Sequence, residues 1–283
     1  MSRQLQAGLC GLIALVALVA ASSLPQCRAQ EPSAITAATP KPKADQLSEQ
    51  QRRQLVTVLL SDASGEAKGS GVVVGAAEGG QWIATNRHVV RDQKTICLGN
   101  GSRSKAAALV VSGKASRSKE LLDLALVWLP RTNKALLSQA VLAQTPPEAS
   151  KLPLVVSTGY PTPLQKQADG PSYTEKPGLL VPLLSNPLEG GFDLAYTSTV
   201  EKGMSGGGVF IGGVLIGING AHANPLWPGQ WNDQRGKPVD AALNRKLELV
   251  SLGISASTIQ YAMKAAVMPD AWDLRGLEGF RCR

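Results

Sequence analysis

Serine, histidine and aspartate can together turn a hydroxyl into a nucleophile, and this chain offers few places where the three could meet. Ser205 lies in EKGMSGGGVF, residues 201–210, among Gly203, Gly206, Gly207 and Gly208. Glycine loses more backbone freedom on ordering than any other residue, so such a cluster needs a structural reason. One reason is a tight turn between two strands. The other is a backbone curled so that amide N–H groups converge on a negative charge developing beside the serine. A serine hydroxyl is a weak nucleophile and needs a base to take its proton. The chain has two histidines. His88, in WIATNRHVV, ends an apolar strand where a turn begins. His222, in INGAHANP, enters a polar loop and reads as a loop or rim residue. The ring also needs an acceptor that fixes its tautomer. Asp123, in LLDLALVWLP, is the natural one. An ionised carboxylate buried without partners is strongly disfavoured, so Asp123 must find donors or sit at an exposed strand start.

These side chains must be positioned by something. From about residue 54 the chain runs in short apolar stretches broken by Gly, Pro, Asn and Ser: LVTVLL, GVVVG, WIAT, KTICL, AAALVV, LDLALVWL, then LPLVVST, GLLVPLL, DLAYTSTV, GGVFI and GVLIGI. Many short strands at regular spacing predict an all-β sandwich or barrel. The missing crossover helices argue against a parallel α/β sheet. Residues 131–148, with Pro146-Pro147 near their end, divide the strands into two groups. A helix is expected over 255–266, with Ser257 as its cap, Gln260 in the capping-box position, and Ile259, Met263 and Ala266 on one face. Residues 224–240, NPLWPGQWNDQRGKPVD, read as a long loop whose role is open.

Residues 1–29 read as a secretory signal: Arg3, an apolar run over 8–21, and Cys27-Arg28-Ala29 in the small-x-small pattern. The run is short of the roughly 20 residues that a bilayer span needs. Val19-Ala20-Ala21 is an alternative cut, and an uncleaved anchor is the alternative reading. Residues 30–53 have linker composition. The folded domain is expected over 54–283, with subdomains at about 54–130 and 149–254. An exported protein, periplasmic or extracellular and not inserted in the membrane after signal removal, is therefore expected; its oligomeric state is not legible. Of four cysteines, export leaves Cys97 and Cys282 as an even pair in an oxidising compartment, and a disulfide tying the tail to the body is expected. No zinc-type ligand spacing occurs, so neither a metal nor an organic cofactor is expected. The net charge is +8. Its basic cluster, Arg103, Lys105, Lys114, Arg117 and Lys119, alternates with Ser, Ala and Gly rather than aromatic rings, which reads as a solvated loop and not as a nucleic-acid surface.

TNRHVV, DLALV and GMSGGGV, in the order His, Asp, Ser, resemble the three signature stretches of trypsin-like (chymotrypsin-fold) serine peptidases. The likeness is greatest to the bacterial branch that includes the HtrA proteases and cyanobacterial trypsin-like peptidases, and it spans about residues 55–266. The separations of 35 residues from His88 to Asp123 and 82 from Asp123 to Ser205 suit it. The resemblance implies two six-stranded antiparallel barrels with a triad in the cleft between them. It implies a serine endopeptidase acting on protein or peptide substrates through an acyl-enzyme. Ser205 would attack the carbonyl, His88 would carry the proton, and Asp123 would orient His88. The N–H groups of Gly203 and Ser205 would form the oxyanion hole. Thr199 would lie near the floor of the substrate pocket, with Asn219 and Gly220 along a wall. Neither side is charged, which points to a small or polar residue before the cut. Three departures stand out. Met204 replaces the aspartate that receives a freshly cut N-terminus in trypsins. Gly208 replaces a proline. Asn86-Arg87 replace a pair of alanines, and Arg87 is expected to point away from the cleft. No PDZ module is expected in the 17 residues after the helix.

Two other readings bear on the same residues. Gly203-Met204-Ser205-Gly206-Gly207 also satisfies the G-x-S-x-G elbow of α/β-hydrolases, but that elbow leads into a helix and here a β-like run follows. A secreted binding protein on an inactive protease scaffold is the rival of another class, with residues 224–240 as the feature that keeps it open.

Overall fold

The computed structural model describes residues 47–99, 106–111, 122–131, 137–162, 170–222 and 229–283. The expected signal segment, most of the expected linker, the basic cluster between 103 and 119, and residues 224–228 of the long loop lie outside the described residues. Residues 42–283 form one compact unit.

Six strands of the first half close on themselves: β1 (Thr57–Ser61), β2 (Ala67–Ala77), β3 (Gly80–Thr85), β4 (Thr95–Gly99), β5 (Ala106–Val111) and β6 (Ala125–Pro130), in the order β1-β2-β3-β6-β5-β4. The barrel shuts where β4 returns to β1 with Leu59 opposite Gly99. Alternation along the strands sends Val58, Leu60, Val73, Ile83, Ile96 and Val127 into its interior, as a period-two pattern requires. Closure leaves this sheet no free edge.

The second half is a curled sheet: β7 (Val141–Leu142), β8 (Leu154–Gly159), β9 (Thr174–Leu179), β10 (Leu194–Tyr196), β11 (Gly208–Ile211), β12 (Val214–His222) and β13 (Ser251–Ser255). Its order is β10-β13-β12-β11-β8-β9, with β7 parallel to β12. The end strands meet at a single bridge, Leu180 to Tyr196. The all-β architecture of two antiparallel barrels is therefore present, with one correction: the second is an open half-barrel of seven strands rather than a closed one of six. β10 has three residues and β9 carries Pro177, which cannot donate to a ladder. The halves are joined near their centre, where Thr57 and Thr158 hydroxyls are 3.0 Å apart and the Tyr160 hydroxyl donates to the Thr57 carbonyl at 3.4 Å.

Among the described residues there are four α-helices. The expected C-terminal helix is α3 (Ala256–Ala265), but its cap is Ser255 rather than Ser257. The Ser255 hydroxyl is held by the half-buried Asp193 carboxylate, and Gln260 instead donates to the Ala143 carbonyl. Two short helices, α2 (Ala241–Leu247) and α4 (Ala271–Arg275), were not expected; each is capped by an aspartate, Asp240 or Asp270. The other, α1 (Glu49–Val56), occupies the end of the expected linker and begins with a Ser48–Gln51 capping box.

α1 docks through Arg53. Its guanidinium forms a two-pronged ion pair with Glu175 on β9, at 3.0 and 2.9 Å, and donates to the Gly212 carbonyl at 2.8 Å. Burial opposes the charge on Arg53, yet the Glu175 carboxylate more than offsets it and the guanidinium pKa is raised. Tyr173 donates to the same carboxylate at 2.5 Å, and burial together with that partner pushes its phenol pKa up. Arg53→Ala should destabilise by about 3 kcal/mol, because the half-buried Glu175 loses its counter-charge. Urea unfolding measures it; a cost below about 1 kcal/mol, typical of exposed pairs, would contradict the account.

The structure pairs Cys97, fully buried on β4, with Cys282, across 185 residues of chain. A loop of that length predicts about 2–5 kcal/mol of stabilisation on reconnecting the tail. Peptide mapping without reductant should recover the two cysteines in one linked fragment, and Cys282→Ser should lower the melting temperature. Recovery of both as free thiols would contradict the pairing.

Candidate active site

His88 sits in the one-turn 3-10 segment Arg87–Val89 that follows β3. Its ring Nδ1 lies 2.7 Å from Asp123 Oδ2, and its backbone N–H donates to Asp123 Oδ1 at 3.0 Å. One carboxylate thus fixes both the ring and the main chain of the histidine. Asp123 stands just before β6, half-buried, so its charge is placed at a strand start and not inside the barrel. The aspartate is itself held by its backbone. Its N–H donates to the Gly190 carbonyl at 2.9 Å, and its carbonyl accepts from Arg87 N–H at 3.2 Å and from Asn86 Nδ2 at 3.0 Å. Asn86 is wholly buried and its Oδ1 has no partner among the described residues. Arg87 is exposed.

Ser205 approaches from the second half. Its carbonyl accepts from Ser70 N–H on β2 at 2.9 Å. A Cβ at Gly69 would stand 2.8 Å from both Val89 methyls and 3.2 Å from the Ser205 carbonyl. The residue beside His88 and the backbone of Ser205 therefore close on the same glycine, and only a residue without a side chain fits between them. The Ser205 hydroxyl donates to the Gly220 carbonyl at 3.4 Å. Among the described residues that long contact is its hydrogen bond, and none runs to His88.

The loop around Ser205 has a marked asymmetry between its acceptors and its donors. The Glu201 carbonyl accepts from Met204 N–H at 3.0 Å, and the Lys202 carbonyl from Thr162 N–H at 2.7 Å. The Gly203 carbonyl accepts from the Ser70 hydroxyl at 2.7 Å. The Met204 carbonyl accepts from Gly207 N–H at 3.0 Å and Asn219 Nδ2 at 3.2 Å. Against this, the N–H groups of Gly203 and Ser205 have no acceptor among the described residues. Gly203 has φ +95 and Gly206 φ +82, conformations that bring the loop into this shape and that side chains resist. Unpaired backbone donors are rare in folded proteins, and a pair of them flanking a serine is an anion-binding concavity.

The residues assigned to the substrate pocket fall out differently. Thr199 is exposed beside this loop in sequence. Gly220 provides the carbonyl that meets Ser205. The Asn219 side chain is turned inward and fully buried: it donates to the Thr158 and Met204 carbonyls and accepts from the Tyr196 hydroxyl at 2.9 Å. Its side chain supports the serine loop. Burial pushes the Tyr196 pKa up. A Cβ at Gly220 would run into the Phe192 ring, which packs edge-on against Trp231 at 6.3 Å. Trp231, Asn232 and Asp233 belong to the long loop. Asn232 accepts from Glu189 N–H at 3.0 Å, and Leu188 bridges Asp233. The described part of that loop thus braces the segment whose Gly190 carbonyl holds Asp123. Among the described residues no group of three potential metal ligands occurs.

No curated protein matches the chain. Among solved structures it is similar to the serine endoprotease from Yersinia pestis, at 20% identity and a TM-score of 0.52, over 76% of this chain and 64% of that one. It is similar to Rv3671c from M. tuberculosis H37Rv, a mutant in its inactive form, at 18% identity and a TM-score of 0.52, over 83% and 98% of the two chains. An HtrA-type protease with a tripeptide matches at 18% identity and a TM-score of 0.52, over 77% and 62%. The chain spans less than two thirds of the Yersinia protein, and at these identities the likeness is one of fold. The model of the trypsin-like peptidase domain matches residues 69–218, just over half of the chain and the part that carries His88, Asp123 and Ser205. The chain belongs to the trypsin-like peptidase family.

Proposed function

We propose that the protein is an exported serine endopeptidase that hydrolyses peptide bonds through Ser205, His88 and Asp123. The observation that supports this reading is the pair of N–H groups at Gly203 and Ser205 that have no acceptor among the described residues, in a loop that meets Gly69 on one side while Val89, the neighbour of the carboxylate-held His88, meets it on the other. In the first step His88 Nε2 takes the proton of Ser205 as Oγ bonds to the scissile carbonyl carbon. The carbonyl oxygen becomes an oxyanion and is received by the two N–H groups; one such donor is worth about 2.7–4 kcal/mol of barrier. The C–N bond then breaks, His88 gives its proton to the leaving amine, and an acyl-enzyme remains. Water, deprotonated by His88, attacks the ester and returns Ser205 to its hydroxyl. Asp123, accepting from Nδ1–H, keeps Nε2 free to face the serine and stabilises the ring while it is cationic. The Ser205 hydroxyl must turn from the Gly220 carbonyl to reach Nε2. Catalytic hydrogen bonds are often long before substrate arrives, so that rotation is no obstacle.

The substrate is a protein or peptide, docked in extended form by Gly220 and its neighbours with Thr199 near the residue before the cut. A neighbour of the same fold holds a tripeptide, which supports a peptide ligand here. The signal at 1–29 supports export, to the periplasm or beyond. The rival, an inactive scaffold that binds without cutting, has one observation on its side: the Ser205 hydroxyl is bonded away from His88.

A fluorophosphonate probe decides between them. Wild type should be labelled on Ser205, Ser205→Ala should not be labelled at all, and His88→Ala should be labelled at least about 100-fold more slowly. Equal labelling of wild type and Ser205→Ala would contradict the proposed function.

A further inference from the structure

We propose that Ser70 is the positioning residue that holds the oxyanion loop open. The inference rests on the reading of Ser205 as nucleophile. Met204 is fully buried and apolar, so it offers the loop no polar anchor. Ser70, on β2 of the first barrel, is fully buried and every polar group it has is spent on this region. Its N–H holds the Ser205 carbonyl at 2.9 Å. Its own carbonyl accepts from Thr85 Oγ1 at 2.7 Å. Its hydroxyl donates to the Gly203 carbonyl at 2.7 Å and accepts from Tyr160 N–H at 2.9 Å. One hydroxyl thereby ties three pieces of chain: β2, the end of β8, and the loop.

The geometry gives that hydroxyl leverage. The peptide linking Gly203 to Met204 lies between the two peptides that present the unspent N–H groups. Each outer peptide is anchored within the second half, through Thr162 N–H on the Lys202 carbonyl and through Gly207 and Asn219 on the Met204 carbonyl. The middle peptide carbonyl is anchored by Ser70. Gly203 adopts either hand of backbone with little penalty, so its own preferences do not keep the loop in this shape. Deprived of Ser70, the Gly203 carbonyl is a buried acceptor without a donor. The unspent donors nearest to it in the chain are those of the hole, and turning toward them closes the site.

Three variants test this: Ser70→Ala, Ser70→Cys as the conservative replacement, and Ser255→Ala as a control that removes half-buried hydrogen bonds at Asp193 instead. The readouts are peptide hydrolysis and the affinity of a peptide boronic acid, whose tetrahedral adduct occupies the hole. Ser70→Ala should lower kcat about 10- to 100-fold, with KM within about twofold. Boronic acid affinity should fall by the same factor as kcat. The pH profile of the residual activity should be unchanged, because His88 and Asp123 are untouched. Ser70→Cys should recover part of the loss, and Ser255→Ala should keep its kcat at a comparable fall in melting temperature. A kcat loss in Ser70→Ala no larger than in Ser255→Ala, or an unchanged boronic acid affinity, would overturn the proposal. A crystal structure of Ser70→Ala decides independently of activity: a Gly203 carbonyl turned toward the hole supports the proposal, and an unmoved loop overturns it. Failure of the wild type to react with the fluorophosphonate counts against the proposed function, whereas a reactive wild type with an indifferent Ser70→Ala counts against Ser70 alone.

Discussion

The structure turns on how a few peptide groups between residues 201 and 207 are oriented. Each of the carbonyls from Glu201 through Ser205 accepts a hydrogen bond, from within the loop or from outside it, and the N–H groups of Gly203 and Ser205 have no acceptor among the described residues. A short loop satisfies its own hydrogen bonds by default, because an unpaired buried peptide group is costly. Leaving two donors unspent on one side therefore needs anchors on the other. Those anchors come from both halves of the molecule: Ser70 from the first barrel, Thr162 and Asn219 from the second.

This dependence explains why the two halves meet as they do. β2 and the loop before β11 are bonded directly through Ser70 and Ser205, and the glycines at 69 and 206 permit the contact. The same junction sets Val89, the neighbour of His88, and the Ser205 carbonyl on either side of Gly69. Asp123 is held from two directions as well, by the Asn86 amide at the end of β3 and by Gly190 in a segment braced by the long loop. The loop is thus a support of the acid's position, and its Trp231 packs against the Phe192 ring that covers Gly220.

The chemistry-bearing residues were legible in the sequence because they break local rules: a serine among glycines, a lone charge in an apolar strand, a histidine at a strand end. The two-barrel architecture was legible from strand spacing only with the resemblance beside it. The supports were not legible, and for a shared reason. Ser70 in GSGVVVG and Asn219 in LIGING look like ordinary polar interruptions of apolar runs, and what they bond to lies 133 and 15 residues away. The resemblance implies a pocket wall at Asn219 and Gly220 without saying which way the Asn219 side chain turns, and β12 is irregular between Asn219 and Ala221. The cap of α3 fell on Ser255 instead of Ser257 because Asp193, 62 residues earlier, bonds the Ser255 hydroxyl and N–H. The capping box of α1, by contrast, stood in the sequence as Ser48 and Gln51 and was passed over inside a stretch of linker composition.

The most direct measurement of the central claim is a crystal structure of the protein with a peptide aldehyde bound. The account predicts a covalent bond from Ser205 Oγ and an adduct oxygen about 2.7–3.1 Å from both Gly203 N and Ser205 N. An aldehyde that leaves Ser205 unmodified at saturating concentration, or an adduct whose oxygen points away from both nitrogens, would contradict it.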